Sequence, residues 1–204
     1  MAFKIDPKRR TPTIIGRRCK GTLLVNLRAF VTSTRDAAAW ERVISRLPEP
    51  DQPILREPLL VSTWYPVGVW NRVLRDYIRN FASDPNSELL KIAHYVADRD
   101  LNTVLKFALS MAMPDTIVAR TGMFWSRYFD AGSLSPRMTK AREWVLSIEC
   151  PTGEDDGPSA MICSEGITGW VTHALRLAGA QSPKVVHRRC RFRGAPVCES
   201  DVTW

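Results

Sequence analysis

Cys163, His187, Cys190 and Cys198 form the densest set of metal-ligating side chains in the chain, and their types are those of a zinc centre. Zinc takes four nitrogen or sulfur ligands in a tetrahedron, commonly three cysteines and a histidine, and a close pair such as His187-x2-Cys190 chelates one ion. Such a site holds structure together, because all four positions belong to protein and none is open to water. The last three ligands fall in the stretch Lys184 to Trp204, where two β-prone runs flank Arg193-Gly194-Ala195-Pro196. Glycine supplies positive φ and proline fixes φ, so this stretch is expected to be a hairpin. A loop of three or five residues sets Cys190 opposite Cys198. Parity opposes the set: His187 and Cys190 are an odd number of residues apart, and both face one ion only if the strand is bulged or twisted. Buried neighbouring thiols and a cross-hairpin disulfide are the open alternatives.

Other chemistries have less to stand on. The chain contains no Gly-rich phosphate loop, nucleophile elbow or His-Glu-x-x-His sequence, so no enzyme is expected. Glu154, Asp155 and Asp156 lie between Gly153 and Gly157 and read as a solvated loop. Aromatic residues at helical spacing, Trp70, Tyr77, Phe81, Trp125, Tyr128 and Phe129, are candidates to line an apolar ligand pocket, with simple core filling as the alternative.

The elements that must position these groups follow from hydrophobic periodicity. Thr22 to Val31 is β-branched and aliphatic and is expected to be a first strand. Helices are expected over about 36–47, from Pro66 to Phe81, through the segments around Leu89–Ala97 and Leu101–Leu109, and from Pro114 to a Gly132 terminator. Trp144, Leu146 and Ile148 alternate as in a half-buried strand; a helix over about 159–177 and the terminal hairpin follow. The expected fold is α+β, a small antiparallel sheet packed against a mainly helical layer.

Length and charge set the frame. The 204 residues, 45% hydrophobic and 25% charged, suit one globular domain, expected over 21–204. Residues 1–20 form a basic arm carrying Lys4, Lys8, Arg9, Arg10, Arg17, Arg18 and Lys20. The formal charge of +8 carries no helix-turn-helix, finger or RNA-binding signature with it, so nucleic acid is not the expected partner. Five cysteines without a secretory leader point to a reducing, cytoplasmic setting, and no apolar run reaches the roughly 18 residues of a membrane span.

Cys163 with Gly166 and Gly169, then Leu177-Ala178-Gly179, then Val185-Val186-His187-Arg188-Arg189-Cys190-Arg191-Phe192-Arg193-Gly194-Ala195-Pro196-Val197-Cys198-Glu199, resembles the C-terminal half of the 4-vinyl reductase domain. That domain shares its fold with the heme-NO-binding sensors and the TRAPP vesicle-tethering subunits. The earlier part, with Gly21-Thr22-Leu23-Leu24 and Trp64-Tyr65-Pro66, is similar to an uncharacterised deltaproteobacterial group in the same superfamily. The resemblance implies a structural zinc on Cys163, His187, Cys190 and Cys198, His187 standing where the family has glutamate. It implies a non-enzymatic sensor of a small hydrophobic ligand, or else an interaction scaffold, working as a homodimer or with a protein partner. Heme is not expected, because the Tyr-x-Ser-x-Arg motif of heme-NO-binding domains is absent and His94 is the one helical candidate for its axial histidine.

Overall fold

The computed structural model describes residues 17–101 and 113–204. Arg18–Lys20 (β1) leads directly into helix α1, Gly21–Thr34, and pairs antiparallel with Trp64–Pro66 (β2). Between them lie two short helices, α2 (Ala39–Ile44) and α3 (Gln52–Arg56). Helices α4 (Val67–Phe81), α5 (Pro85–Leu101), α6 (Pro114–Ala119) and α7 (Thr121–Tyr128) follow. Strands β3 (Ser133–Lys140) and β4 (Glu143–Glu149) precede a π-helical turn, Ile162–Gly166, that runs into α8, Ile167–Leu177. The chain closes with β5 (Lys184–Arg189), a short 3-10 turn and β6 (Cys198–Thr203).

The second sheet is antiparallel in the order β3-β4-β6-β5. With the helices it forms the α+β architecture expected from the sequence. Helix α4 and strand β4 follow their patterns closely. Trp70, Val73, Leu74, Tyr77 and Ile78 are buried on one stripe of α4, and Trp144, Leu146 and Ile148 are buried along β4. The basic arm's last residues are ordered in β1, whose Cys19 also bridges to Phe129. The expected helical segment beyond Leu101 lies largely outside the described residues.

Two expectations are corrected. The stretch Thr22–Val31 is helix, not strand: Leu23, Leu24, Leu27, Phe30 and Val31 recur at i, i+1, i+4, i+7 and i+8 and are all buried. Burying one helical stripe outweighs the β propensity of its threonines and valines, which was the misleading signal. The fourth strand of the main sheet is instead β3, whose exposed, polar sequence Ser-Leu-Ser-Pro-Arg-Met-Thr-Lys lacks an apolar alternation. It is an edge strand, where proline is tolerated. The single helix expected from Pro114 is broken at Arg120 into α6 and α7.

Helices α5 and α8 run against one another closely enough that a Cβ on Gly169 would lie 2.6 Å from the Ala93 Cβ and 3.1 Å from the Leu90 carbonyl oxygen. This contact places the inner face of α8 next to the helical layer. Among the described residues no helix is long and apolar enough to cross a membrane.

Candidate ligand cavity and thiol cluster

Two internal features arise around α8. The first is an apolar cavity of about 80 Å³, lined by side chains from α1, α4, α5, α7, β3 and α8. Leu23, Leu74, Leu89, Ile92 and Val96 form its helical walls; Phe124, Trp125, Tyr128, Phe129 and Trp170 form its aromatic wall. These residues face inward because each helix buries one apolar stripe and five such stripes converge here. Of the six aromatic residues expected to line a pocket, Trp125, Tyr128 and Phe129 are in this wall. Trp70 and Tyr77 are buried in the core, and Phe81 is half-buried and stacks on Tyr77 with centroids 5.5 Å apart.

The polar atoms of the aromatic wall are satisfied within it. Tyr128 Oη donates to Asp100 Oδ2 at 2.5 Å and accepts from Trp170 Nε1 at 3.1 Å, while Trp125 Nε1 donates to the Ala131 carbonyl at 3.1 Å. Asp100 also accepts from Thr22 Oγ1 at 3.2 Å and Asn26 Nδ2 at 3.0 Å. Burial, with the Asp100 charge beside it, holds the Tyr128 phenol well above its ordinary pKa, so it stays a neutral hydroxyl. Nothing in the sequence marked Asp100 or Trp170; one usable signal was an acid placed on a helix that otherwise buries Val96, Ala97 and Leu101.

A second polar hub lies on the far side of α4. Tyr77 Oη donates to Glu88 Oε1 at 2.6 Å, and Arg35 reaches the same oxygen at 2.9 Å. Burial alone would raise the Glu88 carboxyl; Tyr77, Lys91 and Arg35 outweigh it and hold the carboxyl below its usual range. The acidic loop expected to be solvated is tethered by Asn71, which donates to the Glu154 and Gly157 carbonyls at 2.7 and 2.9 Å, and by Arg72, which bonds Asp155 at 2.7 Å.

The thiol cluster is the second internal feature. The ligand atoms of His187, Cys190 and Cys198 all lie within 4.8 Å of one another. The parity obstacle is removed by a bulge: His187 pairs with Ser200 and Arg189 with Glu199, so Arg188 is extra and the strand turns between them. The loop from Cys190 to Val197 is longer than the tight hairpin expected, with Gly194 at φ 89° where an L side chain would be strained. Cys163, on the π-helical turn before α8, donates to the Ser159 carbonyl at 3.5 Å and lies against the Cys198 thiol. Cys198 Sγ accepts the Arg191 N–H at 3.3 Å.

Burial pushes the Cys163 and Cys190 thiols up, the neighbouring Cys198 adding to both, and brings Cys150 up to about 11. His187 is lowered by burial, and its Nε2 is buried without a hydrogen-bond partner. His187, Cys190 and Cys198 bring two sulfurs and an imidazole close enough to share an ion, and the fourth expected ligand, Cys163, lies outside that set. All five cysteines are free thiols.

No family model matches the chain, and no curated protein matches it. Solved structures do. An H-NOX protein from S. oneidensis in the Fe(II)NO ligation state is similar with a TM-score of 0.69 at 10% identity, over 90% of this chain and 97% of that one. The unliganded Fe(II) H-NOX protein from K. algicida gives 0.68 at 10%, over 90% and 95%. A structure from work on heme distortion in the H-NOX family gives 0.68 at 7%, over 91% and 94%.

These likenesses correct the cofactor expectation. Zinc was expected from the spacing of Cys163, His187, Cys190 and Cys198 and from a resemblance confined to the last third of the chain, and heme was set aside on the absent Tyr-x-Ser-x-Arg motif, whereas the neighbours that cover nine-tenths of the chain are iron and heme proteins. Heme therefore replaces zinc as the group to test against this interior. A heme takes an axial His, Cys, Met or Tyr ligand. Among the described residues lining the cavity there is no His, Cys or Met, and the Tyr128 oxygen is already held by Asp100 and Trp170. The volume of about 80 Å³ is also below the roughly 300–1,000 Å³ of pockets that enclose ligands of drug or cofactor size. In the arrangement described the cavity residues do not fit the group. At these identities, what the chain shares with the H-NOX structures is their fold.

Proposed function

We propose that the chain is a non-enzymatic sensory domain that takes a small, neutral, apolar molecule into the cavity bounded by Leu23, Leu74, Ile92, Phe124 and Trp170. The observation that carries this reading is a space of about 80 Å³ whose lining is almost wholly carbon, the Trp125, Tyr128 and Trp170 polar atoms all having hydrogen-bond partners in the protein. An apolar cavity of this kind stays dry and accepts apolar guests; since a water's share of liquid is roughly 30 Å³, the space suits a molecule of a few heavy atoms. Five helices and β3 contribute to the wall, so an occupant touches most of the fold at once and biases whichever arrangement packs best around it. One H-NOX neighbour is in the Fe(II)NO ligation state, which supports a small-molecule sensing class for the fold.

Xenon tests it. Under pressure, xenon is expected to perturb the resonances of Leu23, Leu74, Ile92 and Val96 and to raise the unfolding temperature, and Leu74→Trp is expected to abolish both effects. Xenon shifts scattered over the surface, or unchanged by Leu74→Trp, would overturn the reading. An absorption spectrum of the same sample reads the heme question directly: a Soret band with stoichiometric iron would replace a small neutral guest by heme.

The finer kinship with 4-vinyl reductase and TRAPP-like domains is part of the same proposal and rests on the spacing from Cys163 to Cys198. On this reading Cys163, His187, Cys190 and Cys198 act as a clasp between the start of α8 and the terminal hairpin, with no reaction of their own. Elemental analysis showing no metal in protein purified without chelator would leave the clasp as packed thiols. A second copy of the chain or a protein partner would receive the signal; sedimentation with and without ligand checks for it.

A further inference from the structure

A cleft of about 610 Å³ lies beside the cavity and shares with it the side chains of Phe124, Tyr128 and Trp170. Its other walls include Lys20, Trp64, Asp100 and Arg127. We propose that this cleft binds an amphipathic monocarboxylate, its apolar body against Trp64, Phe124 and Trp170 and its carboxylate drawn to Lys20 and Arg127. The proposal deepens the sensory reading by naming the ligand class that the same aromatic partition would meet from outside.

Charge carries the inference. Lys20 and Arg127 line the cleft, and neither forms an ion pair among the described residues. The nearby Arg18, by contrast, is paired with Asp130, its backbone N–H and its Nε both at 2.6 Å from that carboxylate. Lys20 Nζ stands 4.5 Å from the centroid of the Trp64 ring, a cation–π contact that holds the ammonium at the cleft wall beside an apolar surface. The one acid lining the cleft, Asp100, is engaged by Thr22, Asn26 and Tyr128, so its charge is spread over three donors. Two cations against one saturated acid leave the cleft with a positive balance.

The walls then choose among anions. Inorganic phosphate would meet the cations and leave three aromatic faces against water. A neutral hydrocarbon would cover the aromatics and cost the cations part of their hydration. A cation would be repelled. A carboxylate on an aromatic or short aliphatic body satisfies both surfaces, and the volume is within the range of small-molecule sites. The Trp170 ring lies 4.9 Å from that of Phe124, and its Nε1 bonds Tyr128, so a ligand resting on Trp170 presses on a partition one side chain thick.

Titration calorimetry with 3-phenylpropanoate and its neutral amide, on the full chain, tests the site. A single charge-assisted contact is worth about tenfold in affinity, so the acid is expected to bind about tenfold tighter than the amide. Lys20→Gln and Arg127→Gln are each expected to weaken the acid several-fold and leave the amide unchanged; neither side chain is buried, so folding is not at stake. Equal binding of acid and amide, or an acid affinity unmoved in both variants, overturns the proposal. Xenon separates the two readings. Xenon in the cavity without acid binding sinks the cleft and leaves the sensory cavity standing; acid binding without xenon does the reverse.

Discussion

The cavity and the thiol cluster lie along one helical stretch and differ in every chemical respect. Trp170 and Val171 on α8 face a space lined by carbon, while Cys163, on the π-helical turn before it, lies against Cys198 of a group that also holds Cys190 and His187. The cluster is dense with distinctive groups and has no room; the cavity has room and no distinctive group. Conspicuous side chains thus lie at the joint between α8 and the hairpin, and the space for a guest is built from residues that any core could use.

Trp170→Ala tests that contrast most severely. It removes the partition between cavity and cleft together with the hydrogen bond to Tyr128, and truncating a buried tryptophan costs about 3–5 kcal/mol. Denaturant unfolding is expected to show this loss, with small aromatic additives restoring part of it. A loss below that of Cys198→Ser would reverse the ranking of the two regions.

Tyr128→Phe is subtler. The ring is kept, but Asp100 loses its 2.5 Å donor and Trp170 Nε1 its acceptor, both bonds lying part-buried at the cleft wall. Because water in the cleft reaches these groups, the loss is expected near the lower end of the roughly 1–3 kcal/mol for unsatisfied buried partners. A double-mutant cycle with Asp100→Asn is expected to show strong coupling; additive losses would mean that the short bond contributes little.

On the other side of the comparison, Cys198→Ser puts a hydroxyl where a thiol sits 1% exposed among Cys163, Cys190 and His187. An unpartnered buried hydroxyl costs about 1–3 kcal/mol, and the free His187 Nε2 is placed to offset part of it, so the loss is expected near the lower end. Chemical denaturation of Cys198→Ser beside Cys198→Ala resolves the hydroxyl's share: the alanine variant is expected to equal the serine variant or exceed it in stability.

These differences in chemistry explain what the sequence made legible. Cys163, His187, Cys190 and Cys198 are rare residue types at telling intervals, and the need for a bulge followed from counting, which the extra Arg188 meets. Helix α4 was readable because one surface is buried and the other solvated, and strand β4 because Trp144, Leu146 and Ile148 alternate along one buried face. Helix α1 was not, since Thr22, Val25 and Val31 carry strand propensity while burial of Leu23, Leu27 and Phe30 sets the outcome. The cavity was only half readable. Trp125, Tyr128 and Phe129 share a helical face, but whether converging stripes meet or leave a gap depends on distances between helices that no local pattern encodes. The roles of Asp100 and Lys20 were hidden for a related reason: each gains meaning from a neighbour far along the chain, Tyr128 and Trp64.

The smallest expected effect is one of pH, and it draws on both regions. His94 on α5 faces His173 on α8 with ring centroids 5.7 Å apart, and Arg176 lies nearby, while His173 leans on Asp98 at 3.3 Å. Burial, then the charges of His173 and Arg176, lowers His94; burial also lowers His187 in the thiol cluster. Below the ordinary histidine value of 6.5 the unfolded chain takes up protons that the folded chain refuses at these two positions. The unfolded state then binds more protons, so stability is complete above about pH 6.5 and declines as pH falls below it. Urea midpoints measured from pH 7.5 to 5 in the parent, in His94→Gln and in His187→Gln divide that decline between the helix seam and the cluster. Each single variant is expected to flatten part of the slope, and the double variant most of it. A slope that survives in the double variant would mean that neither histidine sets the pH response in this range.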